Sequence, residues 1–229
     1  MKKLSALLPL LLISCAAITP RAAAPDAPEL APLLSQNLCM PHALMTGNAT
    51  LTVGGERLAA RVALLVSRPG RLRLTMGDTL GSTWFLATAD EESLFYAAPA
   101  QGARETFARR EGAPIRLGGK PYWAEDFIDN LPPCLDPAFF TEGNANYSNK
   151  TLRHERSGVT RRWKFYPNGR IKDLLLLRPS VAPILFEFAY GEGGNTFSVI
   201  INRAAEFHFT RVTEVDPPPV SAFRPPEER

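Results

Sequence analysis

From residue 48 onward the chain is a succession of short apolar runs broken by turn residues, and this punctuation limits the folds open to it. Residues 71–76 alternate strictly, with Leu72, Leu74 and Met76 on one side and Arg71, Arg73 and Thr75 on the other. Period-two alternation marks a half-buried strand, because successive side chains of a strand point to opposite faces. Further runs occupy 48–53, 57–67, 83–88, 94–98, 161–166, 171–177, 184–190, 197–202 and 207–215. They are separated by Gly54-Gly55, Arg68-Pro69-Gly70, Asp90-Glu91-Glu92 and a turn containing Asn168-Gly169. Asn-Gly is a strong hairpin signal, since both residues tolerate the positive φ that tight turns require. Helix signals are few. Residues 121–131 place Trp123, Phe127, Ile128 and Leu131 on one stripe, with Glu125, Asp126 and Asp129 expected on a solvated face. Pro132-Pro133 ends that helix. A weaker helix, broken by Pro32 and Pro41, is expected within 30–44. About ten strands against one or two helices predict a mainly β fold: a curved antiparallel sheet, a barrel or half-closed β-barrel, with a helical lid over one side.

The N-terminus sets the compartment. Lys2 and Lys3 precede a short apolar stretch, 4–13, interrupted by Pro9. Ten helical residues rise about 15 Å, half of a hydrocarbon core of ~30 Å, so the segment reads as an export signal rather than a span. Leu12-Ile13-Ser14-Cys15 resembles the lipobox of bacterial lipoproteins. That resemblance implies cleavage before Cys15, acylation of its thiol and new amine, and an anchor in membrane lipid. Two or more acyl chains hold a protein stably where one does not. Ala16, rather than aspartate, follows the cysteine and favours the outer membrane. The expected organisation is a signal peptide (1–14), a lipidated cysteine with an Ala/Pro-rich tether (15–35), a folded domain (36–216) and a loosely held proline-rich tail (217–229).

Catalytic and cofactor patterns are lacking. There is no G-x-S-x-G elbow, H-E-x-x-H pair or phosphate-binding glycine loop. His42, His154 and His208 stand apart from one another, and the expectation is a non-enzyme without cofactor or structural metal. A net charge of +3 gives no reason to expect nucleic acid. Once Cys15 is acylated, Cys39 and Cys134 remain. In an exported domain they form either a disulfide or two buried thiols, and a shared metal with His42 is a minor alternative.

Residues 70–83 read G-R-L-R-L-T-M-G-D-T-L-G-S-T. This stretch resembles the LolB family of outer-membrane lipoprotein receptors, whose R-L-x-L strand is followed by a turn and L-G-S-T. Residues 113–117, A-P-I-R-L, followed by the aromatic helix and Leu131-Pro132, are similar to that family's P-I-x-L segment and W-I-x-x-L-P helix. The Asn168-Gly169 hairpin also fits. The likeness runs in order from Gly47 to Asn202. It departs at Phe207, where this chain continues into a further strand and tail, and at the cysteine pair Cys39/Cys134, which the family lacks. The resemblance implies a half-closed barrel with a helical lid, a monomer that receives acylated lipoproteins from a periplasmic LolA-like carrier. It also implies a protruding leucine, here Leu80, that helps insert the cargo into the outer membrane. A lipid- or protein-binding lipoprotein of the same fold without transfer is the alternative.

Physical reasoning adds two expectations. Leu80 lies between Gly77-Asp78-Thr79 and Gly81-Ser82, so it stands at a loop tip or folds back onto the sheet. Burying it in lipid would gain about 1.5–3 kcal/mol, enough to bias contact but not to anchor. An acyl-binding cavity would be walled by Leu72, Leu74, Trp84, Leu86, Trp123, Phe127, Ile128, Trp163 and Phe165. The same residues would equally make an ordinary packed core. For the anchor, Cys15→Ala is expected to move the protein from the membrane to the soluble fraction, as ultracentrifugation of lysed cells would show.

Overall fold

The computed structural model describes residues 30–53, 55–98, 103–108, 114–117, 120–137, 140, 144–192 and 195–225. Cys15, the signal segment and most of the tether lie outside the described residues.

A short helix α1 (Leu30–Gln36) precedes six strands that follow one another in space: β1 (His42–Val53), β2 (Glu56–Ser67), β3 (Arg71–Gly77), β4 (Thr83–Ala89), β5 (Ser93–Ala98) and β6 (Ala103–Ala108). A small hairpin, β7 (Ile115–Leu117) with β8 (Lys120–Tyr122), leads into helix α2 (Ala124–Ile128). A second meander then runs through β9 (Asn144–Ser148), β10 (Thr151–Arg156), β11 (Val159–Phe165), β12 (Ile171–Arg178), β13 (Val181–Tyr190), β14 (Phe197–Ile201) and β15 (Ala205–Glu214). The last strand returns to the first. Pairing of β1 with β15 merges the two meanders into one thirteen-stranded antiparallel sheet, from β6 at one edge to β9 at the other, and the sheet does not close.

Alternation along the strands gives this sheet one continuous apolar face. On it lie Val62, Leu64 and Val66 of β2, Leu72, Leu74 and Met76 of β3, Trp163 and Phe165 of β11, and Phe186 and Phe188 of β13, all buried. Register keeps neighbours on the same side: Leu64 opposes Leu74, which opposes Ala87, and Trp163 opposes Leu174. The two-residue turn at Asn149-Lys150 and the three-residue connection 202–204 each hold two residues at positive φ, Asn149 with Lys150 and Asn202 with Arg203. The seam between the meanders needs a glycine. At Gly47 the β1–β15 register shifts, and a Cβ there would sit 2.0 Å from the His208 carbonyl oxygen.

The position of α2 measures the curvature. This five-residue helix packs against β2 and β3, and its side chains also bond to β11 and β12. In strand order β3 and β11 are seven steps apart. At ~4.8 Å per step a flat sheet would separate them by roughly 34 Å, whereas five helical residues rise only about 7.5 Å. The sheet therefore curls around α2.

Several elements differ from the sequence reading. The expected helix 121–131 is confined to Ala124–Ile128, because Pro121 takes part in β8 and Trp123 is the extended N-cap. The helix expected in 30–44 stops at Gln36, and its C-terminal part is the start of β1. Five strands, β6 to β10, lie in stretches whose polar composition hid them. The tail is also tied down at one point. Val220–Phe223 forms a 3-10 turn, Phe223 is buried, and Arg73 Nη1 donates to the Ala222 carbonyl at 3.2 Å on the face opposite the main core. Gly47→Ala is expected to cost about 1–3 kcal/mol, read as a lower urea midpoint, since the new methyl would meet backbone that cannot yield without opening the seam.

Candidate functional site

Two features of the fold could act on lipid: the apolar inner face beneath α2, and the loop joining β3 to β4.

Helix α2 is held over the inner face from both limbs of the sheet. Phe127 and Ile128 are buried in the main core. Asp126 caps the helix start by accepting the Trp123 backbone N–H at 2.9 Å on Oδ2. The same carboxylate is only 1% exposed and takes a charge-assisted pair from Arg178 on β12, through Nη2 to Oδ1 and Nη1 to Oδ2. The Arg178 guanidinium also lies over the Trp123 ring, 4.7 Å from its centroid. One turn later Asp129 pairs with Arg161 of β11 at 3.2 Å. Burial is the main influence on both acids and raises them, and the facing arginines oppose it; Asp129 is pushed up to about 6. Asp126 and Asp129 were expected on a solvated helix face. The correction has a physical origin: a helix under a curled sheet loses most of its solvated side, so Asp126 and Asp129 meet cations from the walls while Glu125 stays partly exposed.

The segments flanking α2 are stapled to the N-terminal region. Cys39 and Cys134 are joined by a disulfide with Cα atoms 4.8 Å apart. The bond takes both thiols out of reach of a metal. His42 instead shares a hydrogen bond with Ser67 Oγ at 2.8 Å, and the described residues hold no cluster of three metal-ligating side chains. Arg68 reaches across the same junction, donating to the carbonyls of Met40 and Leu131 and lying 3.3 Å from Cys134 Sγ. Its burial lowers the guanidinium to about 10, with Asp129 and Asp136 acting against the shift. On the other side α1 docks on the β11–β12 hairpin, Gln36 Nε2 donating to the Asn168 carbonyl at 2.8 Å and Asn37 Nδ2 to that of Gly169 at 3.0 Å.

The proposed cavity residues divide accordingly. Leu72, Leu74, Phe127, Ile128 and Trp163 are within 1% of full burial, and Phe165 is also buried; all six belong to the core on the inner face. Trp84 and Trp123 are half-buried at its margin. Leu86 falls on the opposite face, because it pairs with Thr75 and Ala97 while Leu74 pairs with Ala87. Sequence reasoning missed the arginines. A signal was present: Arg161 is in phase with Trp163 and Phe165, and Arg178 with Leu174 and Leu176, so each cation sits on an apolar face and demands a partner.

The β3–β4 loop is built around one carboxylate. Asp78 Oδ1 accepts the backbone N–H groups of Leu80 at 2.8 Å and Ser82 at 2.9 Å, and these bonds hold its carboxyl below the usual range. The turn they fix projects Leu80 outward at 92% exposure. Of the two dispositions open to Leu80 from sequence, the structure takes the exposed loop tip.

No family model matches the sequence, and no curated relative does. Solved structures do match. An outer membrane lipoprotein-sorting protein domain from Vibrio parahaemolyticus superposes with a TM-score of 0.56 at 11% identity, covering 85% of this chain and 94% of that one. The two chains share a fold. A LolA superfamily protein from Nitrosomonas europaea aligns over 86% of this chain and 96% of its own, at 9% identity and a TM-score of 0.44.

Two outcomes are expected from the lid attachments. A raised carboxyl binds its proton more tightly in the folded state, so Asp129 adds stability as pH falls from about 6 toward 4. Urea unfolding across that range should show wild type gaining stability relative to Asp129→Asn as pH drops. Replacing Cys39 and Cys134 together by serine should lower unfolding free energy by about 2–4 kcal/mol, through restored chain entropy of a long loop.

Proposed function

We propose that this protein is an outer-membrane-anchored lipoprotein that holds the acyl chains of other lipoproteins against the inner face of its half-barrel and passes them into the membrane through the Leu80 loop. The observation that carries the reading is Leu80 itself. A leucine at 92% exposure, held outward by a carboxylate-anchored turn, gains nothing from the fold and has an apolar phase as its natural complement. The inner face supplies the other half. An apolar wall with few fixed hydrogen-bonding groups suits flexible hydrocarbon, which needs area rather than directional contacts. For acyl chains to enter, α2 must lift from one limb, breaking the pairs of Asp126 with Arg178 and Asp129 with Arg161. Cargo would arrive from a periplasmic LolA-like carrier and move without a covalent step or cofactor. The name of the similar Vibrio parahaemolyticus structure, an outer membrane lipoprotein-sorting protein domain, agrees with this reading. So does the lipobox, which would place the chain at the outer membrane, facing the periplasm.

A second reading is favoured by the closure of the lid. Disulfide, ion pairs and near-complete burial of the inner face also suit a tethered module that binds lipid or protein and delivers nothing. An in vitro transfer assay separates the two. Unacylated protein is mixed with a carrier–lipoprotein complex and then with liposomes. Transfer predicts movement of cargo onto the protein and then into lipid, with Leu80→Glu accepting cargo but failing at the second step. Retention of all cargo on the carrier would sink the transfer reading.

A further inference from the structure

A groove of about 480 Å³ runs along the outer face of β2 and β3 at the foot of the Leu80 loop. Its walls carry two opposite charges, Arg61 and Asp78, and the hydroxyls of Thr75, Thr79, Ser82 and Thr83; Leu80 forms its rim. Arg61 is exposed on β2, directly across the strand pair from Gly77. No ion pair closes between Arg61 and Asp78 among the described residues, although they line one groove. Gly77 lets the β3–β4 loop backbone pack against the strand at the foot of the groove, since a Cβ there would meet the Ser82 carbonyl oxygen at 2.2 Å. The loop amides that bond to Asp78 hold its carboxyl below the usual carboxylate range, so the wall carries a carboxylate at neutral pH.

A cation and a carboxylate that line one groove without pairing are matched by a ligand carrying both signs. We propose that this groove binds the headgroup of a phospholipid bearing a phosphate and a primary ammonium, the phosphate on Arg61 and the groove hydroxyls and the ammonium on Asp78. The guanidinium presents several donors to phosphate oxygens, and the carboxylate accepts from an N–H-bearing ammonium. A quaternary ammonium has no N–H and would lose that contact. The source of the headgroup is a bilayer rather than a free metabolite, because Leu80 at the rim points away from the fold at 92% exposure. With the headgroup seated, Leu80 would reach the acyl layer beside it. The site rests on the membrane-contact reading of Leu80 and names the lipid that the contact selects.

The test separates headgroup from membrane. The unacylated chain from residue 16 onward, which contains every residue of the described fold, is titrated with glycerophosphoethanolamine, glycerophosphocholine and inorganic phosphate, following backbone amide shifts of Thr75, Thr79 and Ser82. The expected result is saturable shifts with glycerophosphoethanolamine, and an affinity about tenfold lower for the choline analogue and for Arg61→Gln. Lys164→Gln, an equal loss of charge on another strand, should leave binding unchanged. Equal response to both zwitterions, equal loss in the Lys164 variant, or no saturable shift overturns the site. A parallel flotation assay uses phosphatidylcholine vesicles with and without phosphatidylethanolamine. Leu80→Glu should lose vesicle binding yet keep the soluble headgroup. If wild type binds the soluble headgroup but neither vesicle, the groove stands and the membrane-contact reading of Leu80 falls. If both vesicles bind equally through Leu80 and no headgroup binds, the reverse holds.

Discussion

The pairing of β1 with β15 is the contact on which the architecture depends. Each meander alone is a run of sequential hairpins with a raw edge. Joining the first strand to the last removes one edge from each and makes two local sheets into a single apolar surface. The bond is between segments about as far apart as the fold allows, so its loop-closure cost is met only when both meanders exist. Gly47 marks the place where the two backbones come too close for any side chain on that face.

Once the sheet is continuous its twist and curl follow, and the interior acquires a problem that α2 solves. A thirteen-stranded open sheet with one apolar face cannot leave that face to water. The chain between β6 and β9 crosses the opening and places Phe127 and Ile128 there. It is secured by apolar packing on one limb and by charge on the other. Apolar contacts weaken gradually as a lid slides, whereas a buried ion pair is either made or broken, with a large penalty for leaving one partner dry and alone. Asp126 with Arg178 and Asp129 with Arg161 thus make the covered state discrete. The Cys39–Cys134 bond ties the other end of the same segment to the N-terminal region.

The Leu80 loop is independent of that machinery. It lies at a hairpin end, is shaped by Asp78 and its own amides, and draws nothing from the core. The carboxylate-anchored turn presents Leu80 away from the strand pair and apart from the interior. The shared fold with the lipoprotein-sorting domain from Vibrio parahaemolyticus, at 11% identity, shows how little of such an architecture resides in particular side chains.

Period-two alternation in β2, β3, β11 and β12, with glycine and asparagine at the turns, was enough to read a curved antiparallel sheet, since strand faces and hairpins are local properties. The sequence left Leu80 either at a loop tip or folded back onto the sheet, and the bonds from Asp78 to the Leu80 and Ser82 amides turn it outward. Which face Leu86 occupies was not legible, because a bulge between Met76 and Gly77 resets the phase. Nor were the edge strands β6 and β9, whose polar runs make sense only as rims of a larger sheet. Asp126 and Asp129 read as solvated because amphipathicity assumes that a helix has one wet side; only the curled sheet, closing on it from two limbs, narrowed that side and supplied Arg161 and Arg178. Sequence determined most of the strands and their turns through short-range sterics and burial. Tertiary structure decided the seam, the lid and its charges, because those depend on which distant surfaces the curvature brings within a few ångströms.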